Sequence, residues 1–113
     1  MEVWKKGKLK DGSRVLIKLK LFEHTRIYFD TLEGKHRCDK ALVCGIYSLR
    51  GQRLYSDPTA YGLWVGHIGP RRAFPYTVGK IVKPRQPFSY SNTVCASGIH
   101  FFLTRTKALR FRF

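Results

Sequence analysis

The chain of 113 residues is long enough to bury one hydrophobic core and is too short for two ordinary domains. Its hydrophobic content of 43% excludes an intrinsically disordered protein, and no apolar run reaches the roughly 18 residues that a membrane-spanning helix needs. The net charge of +15 is the most unusual property of the chain, and on so small a domain it points to a polyanionic partner.

The first predicted element is a β-hairpin within residues 8–22, KLKDGSRVLIKLKLF. Asp11-Gly12 is typical of a tight hairpin turn. After this turn, three apolar residues alternate with Lys18 and Lys20. Because alternate residues of a strand point to opposite faces, the pattern predicts one apolar face and one basic face.

The middle of the chain is predicted to contain a loop, then a strand. The polar residues 31–40 are typical of a loop, and the apolar residues 41–49 favour a strand. A turn at residues 50–52 would lead into a short partner strand at residues 53–56. The glycines and prolines of residues 57–75 exclude a long helix.

The remaining elements are also short. Residues 76–84 are predicted to form a strand that stops before Pro84, and residues 85–93 are predicted to form a loop. Residues 98–104 favour a buried strand, and Thr104 could cap a short helix over RTKAL. Together these elements predict a mostly β or α+β fold, with a small curled antiparallel sheet and one or two short helices.

Positive charge is distributed unevenly along the chain. Residues 1–57 hold 13 basic and 7 acidic side chains, whereas residues 58–113 hold 9 basic and no acidic side chains. The second half therefore needs anions from outside itself. The residues predicted to contact a polyanion or a protein partner are clustered or terminal cations: Lys5, Lys6, Lys8, Arg71, Arg72, Arg110 and Arg112.

Four residues are of types that bind zinc: His36, Cys38, Cys95 and His100. They could build a Cys₂His₂ site, but neither pair has the spacing of a zinc finger. We expect a buried histidine and a small buried thiol instead, with no metal and no cofactor. The chain has 3 cysteines, no CxxC motif and no apolar signal sequence, which predicts free thiols in a reducing intracellular compartment.

Catalytic arrangements find little support in the sequence. Cys95 and His100 would need a carboxylate to orient the histidine, and no acidic residue follows Asp57. The 7 acidic residues form no close pair suited to acid–base catalysis, and no Walker loop or GxGxxG motif is present. We therefore predict a protein that is not an enzyme.

Three blocks of the sequence resemble a known pattern: KHRCDKALVCGIYSLRGQRLYS, FPYTVGKIVKP and CASGIHFFLTRTKAL. They resemble an uncharacterised domain often found beside pentapeptide repeats in bacteria and large DNA viruses. Cys38 stands where that pattern usually has alanine. The resemblance implies a shared fold and no activity. The matching residues are Arg37, Asp39, Lys40 and Ala41 in the first block, Tyr76, Val78 and Gly79 in the second, and Cys95, Gly98, Ile99, His100, Phe101, Phe102, Thr104 and Ala108 in the third.

The resemblance also suggests how the single domain, residues 1–113, is organised. We expect an N-terminal hairpin region at residues 1–34, a family-like core at residues 35–109 and a docking tail at residues 110–113. The tail has an apolar face that must dock on its own sheet or on a neighbour. Two phenylalanines are the predicted anchors of this tail: Phe111 and Phe113.

The segment GIHFFLTRTKAL also resembles the Gly-Ile-Tyr-Phe segment of poly-ADP-ribosyltransferases. That resemblance would imply a catalytic glutamate well downstream. Only eleven residues follow Phe102 here, and none of them is acidic. An ADP-ribosyltransferase-like or Cys/His enzyme therefore stays an alternative.

The viral members of the resembling domain lead to a concrete expectation. The protein is expected to be a non-enzymatic small basic structural component of a large assembly, most concretely a capsid-associated minor protein in the virion of a large DNA virus. Its partners would be other proteins with acidic surfaces, with DNA or RNA backbone as a further partner. The alternative is a sequence-independent nucleic-acid-binding protein of a viral or ribosome-like particle.

Overall fold

Antiparallel strands make up most of the described chain. The computed structural model describes residues 1–29, 34, 36–54, 59–62, 74–84 and 98–111. These residues contain nine strands and one helix, which confirms the mostly β class. The elements are β1 (Glu2–Lys8), β2 (Arg14–Lys20), β3 (Ile27–Tyr28), β4 (His36–Cys38), β5 (Ala41–Ser48), β6 (Thr59–Gly62), β7 (Phe74–Thr77), β8 (Ile81–Val82), β9 (Ile99–Phe101) and α1 (Arg105–Arg110).

The strands form two open antiparallel sheets. The large sheet has the order β7-β6-β1-β2-β5-β8, and the small sheet has the order β3-β4-β9. Two backbone hydrogen bonds connect the sheets. The amide of Trp4 donates to the carbonyl of Phe102 at 2.9 Å, and the amide of Phe102 donates to the carbonyl of Trp4 at 2.7 Å. β1 therefore joins the small sheet to the large one.

The predicted hairpin around Asp11-Gly12 is confirmed, but its first strand begins at Glu2, before the predicted range of residues 8–22. β1 and β2 pair along their full lengths, ending with Lys8 opposite Arg14. Gly12 adopts a φ of 90°, a left-handed conformation that favours glycine. The Asp11 carboxylate accepts a hydrogen bond from the amide of Ser13 at 2.8 Å. The Asp-Gly pair therefore turns the chain, as its sequence predicts.

One face of the large sheet, here called the inner face, carries the main core. Val3, Ile17 and Leu19 project from it and are completely buried. Ile99 and Phe101 of the small sheet pack into the same hydrophobic cluster. The alternation of apolar residues along β2 therefore predicts the buried face correctly.

The opposite face of the large sheet, here called the outer face, is not purely basic. Leu16 is completely buried on it, in a second cluster with Phe102 and Ala108 of the C-terminal segment. The ammonium of Lys18 pairs with the Glu2 carboxylate at 2.9 Å. Lys18 and Lys20 therefore lie on the face predicted for them, and Leu16 is buried there because α1 folds back over the sheet.

The prediction of a loop over residues 31–40 was wrong for β4. His36, Arg37 and Cys38 are only 5%, 3% and 0% exposed. β4 is the central strand of the small sheet, paired with β3 on one side and β9 on the other. Polar composition failed as a guide because both edges of this segment pair with other strands.

Residues 76–84 form parts of two strands instead of one. β7 ends at Thr77 and β8 begins at Ile81. Between them the amide of Lys80 donates to the carbonyl of Thr77 at 3.0 Å, and Gly79 has a φ of 87°. The glycine therefore reverses the chain, and the prediction of one continuous strand over residues 76–84 was wrong.

The strand predicted over residues 41–49 is confirmed as β5. Of the short partner strand predicted after it, residues 53 and 54 are described. Arg53 forms an isolated bridge with Tyr47, and the amide of Leu54 donates to the carbonyl of Ile46 at 2.8 Å. Arg53 and Leu54 thus return beside β5, and the rest of the predicted partner strand lies outside the described residues.

The short helix and its cap are confirmed. The Thr104 hydroxyl accepts a hydrogen bond from the amide of Lys107 at 3.2 Å, and α1 continues to Arg110. It is the single helix of the described residues. None of the described residues belongs to a helix long and apolar enough to cross a membrane. The loop predicted at residues 85–93 lies outside the described residues.

Candidate functional site

A row of side chains crosses the outer face of the large sheet where the hairpin turns. Arg14 lies opposite Lys8, Lys8 lies opposite Tyr61, and Tyr61 lies opposite Pro75. Directly opposite residues of antiparallel strands project from the same face. Arg14 and Pro75 are exposed, and Lys8 and Tyr61 are half-buried. These four residues, on β2, β1, β6 and β7, are named the cationic row.

Two glycines on the inner face bring β6 close to β1. Gly7 and Gly62 lie opposite each other. A Cβ atom added to Gly7 would lie 2.8 Å from the carbonyl oxygen of Tyr61 and 2.8 Å from Cδ1 of Ile17. The missing side chain therefore permits the strand spacing that holds Tyr61 beside Lys8.

Like charges meet at the hairpin end of the sheet. Lys8 and Arg14 are directly opposite, an arrangement that destabilises a sheet in the absence of an anion. Burial lowers the pKa of Lys6, and the positive charge of Arg14 lowers it further. Asp11 lies nearby in the turn, where hydrogen bonds from Ser13 lower the pKa of its carboxyl. The basic side chains at this end outnumber that carboxylate, so the hairpin end has a net positive potential.

Two of the cations predicted to contact a partner face their own chain. Lys5 projects from the inner face, with its ammonium 5.7 Å from the ring centroid of Tyr76. Lys6 is 9% exposed, and its ammonium donates hydrogen bonds of 3.0 Å to the carbonyls of Leu109 and Phe111. Lys5 and Lys6 therefore contribute to the fold, and their contact with a partner stays a prediction.

The C-terminal segment docks on its own chain as far as Phe111. The ring of Phe111 lies 5.5 Å from that of Phe102, centroid to centroid, and Leu109 packs against the same cluster. Arg110 is exposed at the end of α1. Phe111 is thus an anchor within the molecule. Five predicted site residues lie outside the described residues: Arg71, Arg72, Cys95, Arg112 and Phe113.

The small sheet separates the residues that could have bound zinc. His36 and Cys38 share one face of β4, and the ring of His36 lies 5.6 Å from that of Phe101. His100 lies opposite Arg37 and so projects from the other face. In the part of the chain that the structure describes, no three metal-binding side chains come together.

The thiol of Cys38 is held in its protonated form. Burial raises its pKa from 9.0 to about 12. The thiol lies 3.5 Å from the carbonyl oxygen of Lys40, to which it donates a weak hydrogen bond. A thiol in this environment lacks the thiolate that nucleophilic or metal-binding chemistry requires.

The polar residues of the resembling motif lie on the other face of the small sheet. Arg37 stands between Tyr28 and His100 across three strands. Its guanidinium carbon lies 4.6 Å from the centroid of the Tyr28 ring. Asp39, next along the chain, accepts a hydrogen bond from the amide of Arg26 at 2.9 Å. These contacts connect β3, β4 and β9 into one unit.

The apolar residues of the motif fill the two cores. Tyr76 is 2% exposed, and burial raises the pKa of its hydroxyl. Phe101 is completely buried in the main core, and Phe102 lies in the second cluster. Gly98, the glycine of the motif, directly precedes β9. The motif therefore marks packing positions of the fold.

Three members of the cationic row were not among the predicted site residues: Arg14, Tyr61 and Pro75. Arg14 could have been found, because a hairpin centred on Asp11 places it opposite Lys8. Tyr61 could not, because β6 reaches β1 only through a long connection that no local pattern specifies.

The family comparison covers nearly the whole chain. The model of a family of unknown function, DUF5758, matches residues 1–108. This match includes β1 and β2, which the resembling blocks within residues 35–109 did not contain. No curated protein and no solved structure matches the chain significantly. Because the family match spans both sheets and most of α1, the chain belongs to this family of unknown function, DUF5758.

Proposed function

We propose that the protein is a non-enzymatic, basic structural component of a larger assembly, held there by contact between its cations and a polyanionic surface. The observation that carries this proposal is the direct opposition of Lys8 and Arg14 at the hairpin end. Two directly opposite cations repel each other, and a bound anion would attract both of them. Contact with a polyanionic partner would account for the placement of these two cations opposite each other.

The distribution of exposed charge supports the same proposal. Of the described residues, ten lysines and arginines are exposed, against three exposed acidic residues. The exposed cations lie on the hairpin, just before β3, in the turn after β5, on either side of β8 and on α1. Charge on so many elements suits a protein that is enclosed by acidic neighbours, as a component of an assembly would be.

The burial of the motif residues favours a structural role. Cys38, Tyr76 and Phe101 fill the core, and the thiol and the phenol are kept protonated by burial. Packing thus accounts for these residues without a reaction. The assembly that we propose is the particle of a large DNA virus, which rests on the resemblance of the three sequence blocks and not on the geometry.

The proposal is tested by measuring binding to two labelled polyanions, poly-glutamate and duplex DNA, across a series of salt concentrations. We expect binding to at least one probe, with an affinity that falls linearly on a log–log plot against salt. A neutral polymer of the same length is the control and should not bind. Failure to bind either polyanion at about 50 mM salt, where counterion release is strongly favourable, would contradict the proposal.

A further inference from the structure

We infer that the cationic row is a contact site for a single strand of nucleic acid, with Arg14 and Lys8 on phosphates and the ring of Tyr61 against a base. This inference rests on the proposed function, because it names the partner and the surface for the polyanion contact. It follows from the register of four strands, which places an aromatic ring and two cations side by side on one face.

The dimensions of the row suit a strand of nucleotides. Neighbouring strands of a sheet lie about 4.8 Å apart, so four strands span about 14 Å. A stacked strand rises 3.4 Å per nucleotide, and so at most about four nucleotides could follow the row. The row therefore offers more than one contact per bound strand.

The chemistry of the row favours nucleic acid over an acidic peptide. Cations alone would bind the carboxylates of a peptide and the phosphates of a nucleic acid equally well. Tyr61 adds an aromatic surface beside Lys8, and aromatic rings next to basic residues are typical of proteins that bind single strands without sequence preference. The planar guanidinium of Arg14 can hold a phosphate through two parallel hydrogen bonds. A base must leave its stack to meet a ring on a sheet, which favours a single strand over a duplex.

The end of α1 extends the positive surface. Lys6 and Leu16 form the neighbouring pair on the outer face. The ammonium of Lys6 holds the carbonyls of Leu109 and Phe111, the two residues that flank Arg110. The exposed side chain of Arg110 therefore starts next to the cationic row, where it can contact the same strand.

The test measures the affinity of the full chain for a labelled oligothymidine of about 15 nucleotides, near the upper site size of one binding domain. The variant Arg14→Gln combined with Lys8→Gln should weaken binding about tenfold or more at 100 mM salt. It should also reduce the log–log salt slope by about 1.4, the loss of two phosphate contacts on a single strand. Tyr61→Leu should weaken binding several-fold and leave the salt slope unchanged, because stacking releases no counterions.

The matched control is Lys83→Gln combined with Lys107→Gln, which removes the same charge from exposed residues on other elements. Thermal unfolding of each variant checks that it folds, and Tyr61→Phe, which keeps the ring, should bind like the parent.

If the control reduces affinity and slope as much as the row variant, the inference fails while the proposed function survives. Binding to poly-glutamate but not to oligothymidine would likewise contradict the inference and leave the proposed function standing. If the protein binds none of oligothymidine, poly-glutamate and duplex DNA, both the inference and the proposed function are wrong.

Discussion

The ammonium of Lys6 lies 3.0 Å from the carbonyl oxygen of Leu109 and joins β1 to the end of α1. The last carbonyls of a helix have no partner within the helix, and a cation there also favours the helix dipole. Helix α1 has only six residues, too few to be stable by itself. Lys6 therefore acts with the apolar cluster around Leu16 to hold the helix on the outer face.

Replacement of Lys6 should loosen the C-terminal segment. Lys6→Met keeps an unbranched apolar stem and removes the charge that bonds the carbonyls of Leu109 and Phe111. We expect a loss of about 1–2 kcal/mol in the free energy of unfolding in urea, because hydrogen bonds to a charged group contribute at least this much. Lys10→Met, at an exposed position of the same hairpin, is the control and should change stability little. Equal stability of Lys6→Met and the parent would contradict the assigned role.

Removal of the charge of Arg14 should stabilise the free protein. Arg14 lies opposite Lys8 and its charge also lowers the pKa of Lys6. Arg14→Gln relieves this repulsion, and we expect a gain of about 0.5 kcal/mol at low salt. The gain should shrink as added salt screens the charges, which thermal unfolding at two ionic strengths would reveal. Arg50→Gln, exposed in the turn after β5, is the control. A loss of stability in Arg14→Gln at low salt would show that the arginine supports the fold.

Local patterns predicted the parts of the fold that local interactions determine. The Asp11-Gly12 turn, the alternation along β2 and the Thr104 cap all depend on residues within a few positions of one another. The apolar run of residues 41–49 predicted β5 for the same reason. In each case the side chains and the backbone element they specify lie in one stretch of sequence.

Elements that depend on distant partners were not predicted. β4 is polar in sequence and is buried because β3 and β9 pair with both of its edges. The burial of Leu16 was not predicted, since no local pattern shows that α1 will cover it. The cationic row needs β6 beside β1, which joins residues more than fifty positions apart. The place of Arg14 in the row could have been inferred from the register of the hairpin, whereas the place of Tyr61 could not.

A methyl group at Gly7 should disturb the contact between β1 and β6. The added Cβ would lie 2.8 Å from the carbonyl oxygen of Tyr61, and a backbone atom cannot move aside as a flexible side chain can. We expect Gly7→Ala to cost about 1–3 kcal/mol of unfolding free energy. Gly12→Ala is the matched control in the same hairpin, because its Cβ would meet no atom within 4 Å. It should cost only about 1 kcal/mol, from its positive φ.

The comparison between these two alanine variants tests the close approach of the strands. Gly12→Ala carries strain from its positive φ that Gly7→Ala lacks, so any excess cost of Gly7→Ala is a lower bound on the crowding at Gly7. A smaller cost for Gly7→Ala than for Gly12→Ala would show that β6 can move away from β1 without consequence. In the expected case, Gly7→Ala should also weaken oligothymidine binding, because it displaces Tyr61 from Lys8.

The buried thiol of Cys38 should make the protein less stable in alkali. Its pKa is about 12 in the folded chain against an ordinary value of 9.0, so above pH 9 the unfolded chain loses a proton that the native state retains. Stability therefore falls as pH rises, by about 1.4 kcal/mol from this group between pH 8 and pH 10. Cys38→Ala should lack this part of the fall in urea unfolding under reducing conditions, whereas the half-buried Cys44→Ala should retain most of it. An identical fall in Cys38→Ala and the parent would show that Cys38 ionises as readily in the folded protein as in water.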